Sequence, residues 1–154
     1  MMTLFLVRHG LTGHTGRVLY GQTPGIDLDE RGRAQADQLA GRLATVRPTA
    51  IYSSPLERCV QTVAPLAAAC RLPVVEHEGL IEMHAGSWTG KPLARLRRLK
   101  AWSDVQQRPG TFRFPGEARA SRKLAIGRWP RCIGSRGVID VDGSSWPRTA
   151  TSCA

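Results

Sequence analysis

The sequence predicts an α/β fold, a three-layer sandwich built on a mainly parallel sheet, and three observations carry that expectation. Short apolar runs of strand length alternate with longer stretches whose apolar residues recur at helical spacing. The strand-like runs end abruptly on polar residues able to do chemistry. With 154 residues, 42% of them hydrophobic, the chain can bury one core without metal or disulfide staples.

The elements follow in order. Residues 3–7, TLFLV, read as a first strand, too short to cross a membrane, and stop on Arg8, His9 and Gly10. Residues 10–25 hold five glycines and read as a loop. Residues 28–46 read as a helix: Ala36, Leu39, Leu43 and Val46 share a face, Asp29 is placed to cap the first turn, and Pro48 ends it. Residues 49–54, TAIYSS, form a second short strand. A second helix over residues 54–70 has a clear start, with Ser54 as cap, Pro55 at the first helical position and Glu57 completing an S-x-x-E capping box. Residues 72–78, LPVVEHE, make a third strand that ends near Glu82. A parallel sheet places its chemistry outside the carboxyl ends of its strands. Arg8 and His9, residues 53–58, and Glu82 therefore converge on one rim.

Charge is uneven along the chain. Residues 1–117 hold 15 Lys+Arg against 10 Asp+Glu, whereas residues 118–154 hold 7 against 2, so half of the net +10 sits in the last quarter. Residues 1–7 have no basic segment ahead of their apolar run, which argues against a secretory signal and for the cytoplasm. The four cysteines, Cys59, Cys70, Cys132 and Cys153, form no C-x-x-C pair and lack a His at metal-ligand spacing, so reduced thiols are expected. No membrane partner is expected. Oligomeric state is open.

An Arg-His pair alone is more often a structural hydrogen-bonding pair than a nucleophile. A histidine on a glycine turn at the end of a strand is nevertheless held toward a site, and the glycine lets backbone approach a ligand closely. Arg58, one turn into a helix whose free N–H groups favour an anion, is either a surface arginine or half of a phosphate or carboxylate clamp with Arg8. Trp88 reads as core packing. His14, His77 and His84 read as surface or edge residues.

Five stretches in order, LVRHGLT, GQTPGIDLDERGRAQADQLAGRL, IYSSPLERCVQT, LIEMHAGSWTG and FPGE, make residues 3–116 resemble the histidine phosphatase superfamily, which includes cofactor-dependent phosphoglycerate mutases. The resemblance implies a phosphoglycerate mutase-like domain over residues 1–117, incomplete at its C-terminus. It implies His9 as the nucleophile that takes a phosphoryl group, Arg8 and Arg58 as clamps on its oxygens, and Glu82 as proton donor to the leaving group. Thr12, Gly21 and Gln22 would line the pocket mouth, and neither metal nor cofactor would be needed. The chemistry is consistent with those residue types. Phosphoryl transfer needs an in-line nucleophile and positive charge around the equatorial oxygens. Two guanidinium groups disfavour imidazolium, and an acid that must hold its proton at working pH should be partly buried.

The chain departs from the family pattern in two ways. Leu11 and Thr15 stand where an acid and an Asn are common, and no histidine follows His84, although the family's pocket uses a second one downstream of the FPG segment. Residues 118–154, with no glutamate and two Trp-Pro pairs, read as an out-of-frame, disordered tail. A genuine basic extension that binds RNA or an acidic surface is the alternative, although nucleic acid binding lacks the interleaved aromatic and basic pattern of a folded module. Three functions remain in view: a phosphatase for small phosphorylated metabolites, impaired by the missing histidine; a mutase; and a relic that binds phosphate without turnover. Only 23 residues separate Gly90 from Phe114, which favours hydrolysis over mutase transfer.

Overall fold

The computed structural model describes residues 3–108 and 112–116. Its elements in chain order are β1 (Val18–Leu19), α1 (Glu30–Leu43), β2 (Ile51–Ser53), α2 (Glu57–Cys70), β3 (Val74–Glu76), β4 (Lys91–Pro92), α3 (Leu93–Leu96) and α4 (Ala101–Gln107). The expectations for residues 118–154 lie outside the described residues.

The alternating pattern yields a parallel pair. β2 and β3 run side by side, with Ile51 opposite Val74 and Ser53 opposite Glu76. Helix α1 begins where expected, the Asp29 carboxylate accepting from the Gly32 N–H at 2.8 Å. Its buried Leu39, Ala40 and Leu43 join Leu66 and Ala67 of α2 and Ile51 of β2 in one apolar cluster. Val46 does not join them and stays 51% exposed. The last turn over Ala44–Val46 tightens into a 3-10 helix, whose three-residue period rotates Val46 off the apolar face before Arg47 breaks the helix with φ 49.

Two elements differ from expectation. Residues 3–7 form no ladder with either sheet. They keep the alternation of a strand, since Phe5 and Val7 pack on the α1–α2 cluster while Leu6 is 51% exposed. The backbone just beyond them is held by side chains instead: the Gly10 N–H donates to Thr62 Oγ1 at 2.9 Å and the Leu11 N–H to Gln35 Oε1 at 2.9 Å. Helix α2 also starts later than the capping box implies. Leu56 is its N-cap and Glu57 its first residue, while Ser54 Oγ only accepts from the Leu56 N–H at 3.4 Å. The Glu57 carboxyl is drawn below its ordinary pKa by its own backbone amide and that of Gly25.

A second structural unit closes the far side. β1, inside the expected glycine loop, pairs antiparallel with β4. Behind it Ala85, Trp88, Leu96 and Phe114 are buried together. Trp88 is core as expected: its ring stacks with Trp102 at 6.2 Å and meets Phe114 edge-on at 5.4 Å. His14, His77 and His84 are exposed.

Candidate active site

The site forms where the Arg8–Gly10 segment crosses the start of α2. On its other side Gly10 packs closely on α1, where a Cβ would lie 2.7 Å from the Gly32 carbonyl oxygen. Thr62 then links the two segments. Its hydroxyl donates to the Arg58 carbonyl at 2.6 Å and accepts the Gly10 N–H.

His9 is partly buried at this crossing. Its Nδ1 lies 2.8 Å from the Gly10 carbonyl oxygen. A carbonyl can only accept, so Nδ1 carries the proton and Nε2 presents a lone pair. The imidazole pKa is lowered from its ordinary value, first by burial and then by the charges of Arg58 and Arg8, against the opposing Gly10 carbonyl and Glu82. The neutral histidine expected from two guanidinium groups is therefore favoured, with desolvation as the larger cause.

Arg58 is the second residue of α2, inside its first turn, and only 1% exposed. Its Nη2 donates to the Gly21 carbonyl at 2.6 Å and its Nη1 to the Thr23 carbonyl at 3.3 Å. Its Nε–H is buried and meets no acceptor among the described residues. A buried charged group with an unmatched donor is costly unless something anionic completes it.

The remaining expected residues are placed unequally. Arg8 is exposed and acts on His9 through its charge. Gly21 adopts φ 45, which turns its carbonyl toward Arg58, and Gln22 Nε2 donates to the Glu82 carbonyl at 2.6 Å, joining two loops at the mouth. Glu82 is within electrostatic reach of His9, yet its side chain is exposed and accepts from the Met83 N–H at 2.9 Å. The partial burial expected of it is absent. Thr12 is buried, but its hydroxyl is engaged within its own turn, 3.0 Å from Thr15 Oγ1 and 3.3 Å from the His14 N–H.

Two residues at the site escaped sequence reasoning. Thr62 sits one turn after Arg58, a spacing that put both on one helix face and could have been noticed. Tyr20 offered no such signal, and it lies with its hydroxyl 3.5 Å from His9 Nε2 and its ring beneath the Arg58 guanidinium, 4.8 Å away. Among the described residues no group of three His, Cys, Asp or Glu is arranged to hold a metal ion, and no helix is long and apolar enough to cross a membrane.

Comparison with known proteins covers the same segments. Residues 4–132 match the family described as the histidine phosphatase superfamily (branch 1). The chain is 38% identical over 90 residues to phosphoserine phosphatase 1 of Hydrogenobacter thermophilus, spanning 58% of this chain and 43% of that one. It is 36% identical over 104 residues to a probable phosphoglycerate mutase of Proteus mirabilis, spanning 66% and 48%. The native structure of a mycobacterial glucosyl-3-phosphoglycerate phosphatase superposes with a TM-score of 0.66 at 30% identity, covering 74% of this chain and 54% of that one. The chain thus spans about half the length of the relatives it matches.

Proposed function

Because the chain belongs to the histidine phosphatase superfamily, branch 1, and has the α/β fold of phosphoglycerate mutase-like proteins, we propose that it hydrolyses phosphomonoesters of small metabolites through a phosphohistidine on His9. The His9 Nε2 lone pair attacks phosphorus in line, forming the N–P bond as the P–O bond to the leaving group breaks. Arg58, with Arg8 at the rim, balances the charge on the equatorial oxygens. Glu82 gives its proton to the departing oxygen and takes one back from the water that then cleaves the N–P bond, which releases phosphate and restores neutral His9.

The observation that carries this reading is Arg58, a buried guanidinium whose Nε–H meets no acceptor among the described residues, beside a histidine that carries its proton on Nδ1. Such a pair suits a tetrahedral dianion better than a neutral ligand. Relatives that act as phosphatases support hydrolysis, and the short segment between Gly90 and Phe114 supports it over mutase transfer. Half-buried free thiols at Cys59 and Cys70 suit a reducing cytoplasm.

The test is to trap acid-labile phosphate on the chain with an aryl phosphate and follow its decay in water. Labelling of the wild type that His9→Ala lacks, decaying to inorganic phosphate, is expected. Decay only on addition of a phosphate acceptor would establish a mutase. Thermal protection by phosphate without labelling would leave a binding relic.

A further inference from the structure

We propose that Tyr20 is a catalytic residue of this site, its phenol O–H donating to the transferred phosphoryl group beside His9 Nε2. The inference rests on the phosphoryl-transfer reading above and adds a donor that neither the sequence motifs nor the clamp of arginines supplies.

The geometry begins with the histidine. Since Nδ1 is committed to the Gly10 carbonyl, Nε2 can only accept, and the Tyr20 hydroxyl at 3.5 Å is the donor that faces it. That separation is too long for a strong hydrogen bond, so the contact holds the phenol near Nε2 without sealing the lone pair. A reacting phosphorus must come within about 3–3.5 Å of Nε2. Its oxygens then enter the space the phenol O–H already covers.

Tyr20 is also held for the task. Before it, β1 is paired with β4. After it, the Thr23 N–H donates to the Tyr20 carbonyl at 2.9 Å, closing a turn through Gly21, whose own carbonyl binds Arg58. The ring lies under the Arg58 guanidinium and tilts against His9 at 6.2 Å and His14 at 6.3 Å. One aromatic side chain thus touches both the anion-binding arginine and the nucleophile. Its face holds the cation and its hydroxyl points to where charge develops.

The two contributions separate by substitution. Tyr20→Phe keeps the ring under Arg58 and removes only the O–H; Tyr20→Leu removes both. With an aryl phosphate, Tyr20→Phe is expected to lower kcat by about 100-fold with an unchanged melting temperature. Tyr20→Leu is expected to lower kcat further and to raise KM, because Arg58 loses its support. Vanadate affinity, which needs no turnover, is expected to fall about 10- to 100-fold in Tyr20→Phe. A Tyr20→Phe variant with wild-type kcat and wild-type vanadate affinity overturns the assignment while leaving the phosphatase reading standing. A wild-type chain that neither forms phosphohistidine nor binds vanadate overturns both.

Discussion

The two walls of the candidate site are built differently. One is carried by helices: Gly10, Arg58 and Thr62 are buried against α1 and α2 and cross-linked by hydrogen bonds of 2.6 and 2.9 Å. The other is carried by loops: Gln22 and Glu82 meet through one side chain-to-backbone bond, and the Glu82 carboxylate faces solvent. Under the proposed mechanism the helix wall would supply donors fixed in a low dielectric before a dianion arrives, whereas the loop wall leaves its carboxyl in solvent, without the partial burial expected of a proton donor.

If the loop wall serves chemistry and the helix wall serves structure as well, substitutions should separate the two. The largest effect is expected at Glu82. Glu82→Gln should lower kcat by about 100- to 10,000-fold for an alkyl phosphate, whose alkoxide needs a proton, and much less for a nitrophenyl phosphate, whose leaving group does not. Its unfolding midpoint should not move, since the side chain is exposed. Equal losses on both substrates would break the assignment of Glu82 as proton donor.

The converse holds for Thr62. Thr62→Val keeps the shape but strands the Gly10 N–H and frees the Arg58 carbonyl, so urea unfolding should show a loss of about 1–3 kcal/mol together with weaker activity. A variant as stable as the wild type would show that the helix wall is not held by this link.

The smallest effect is in pH dependence. With His9 lowered from its ordinary value by burial, Arg58 and Arg8, neutral nucleophile should persist below pH 6.5, and the acid limb of kcat/KM should lie there. Removing one positive neighbour raises the imidazole pKa, so Arg8→Gln should move that limb toward higher pH. An unmoved limb would show that Arg8 does not act on His9, and the contrast between a charge at the rim and a charge in the wall would sharpen accordingly.

Much of this arrangement was legible in the chain. Helix α1, its Asp29 cap, the parallel β2–β3 pair and the burial of Trp88 follow from spacing, because each depends on neighbours in sequence or on a repeated apolar period. The strand expected over residues 3–7 was misread for the opposite reason. Apolar alternation tells a residue which way to face, but a strand exists only where its backbone finds a ladder partner; here side chains of Thr62 and Gln35 hold only the backbone just beyond it, at Gly10 and Leu11. The start of α2 falls at Leu56 and Glu57 rather than at Ser54, whose Oγ reaches only the Leu56 N–H at 3.4 Å.

By itself, the sequence determined which residue types could take and hold a phosphoryl group, since His9, Arg8, Arg58 and Glu82 carry that chemistry wherever they are placed. Only the tertiary structure decided that Arg58 is buried with a donor unmatched among the described residues, that Glu82 remains in solvent, and that Tyr20 stands between His9 and Arg58. Burial and close approach depend on segments far apart in the chain, and no local pattern encodes the distance between them.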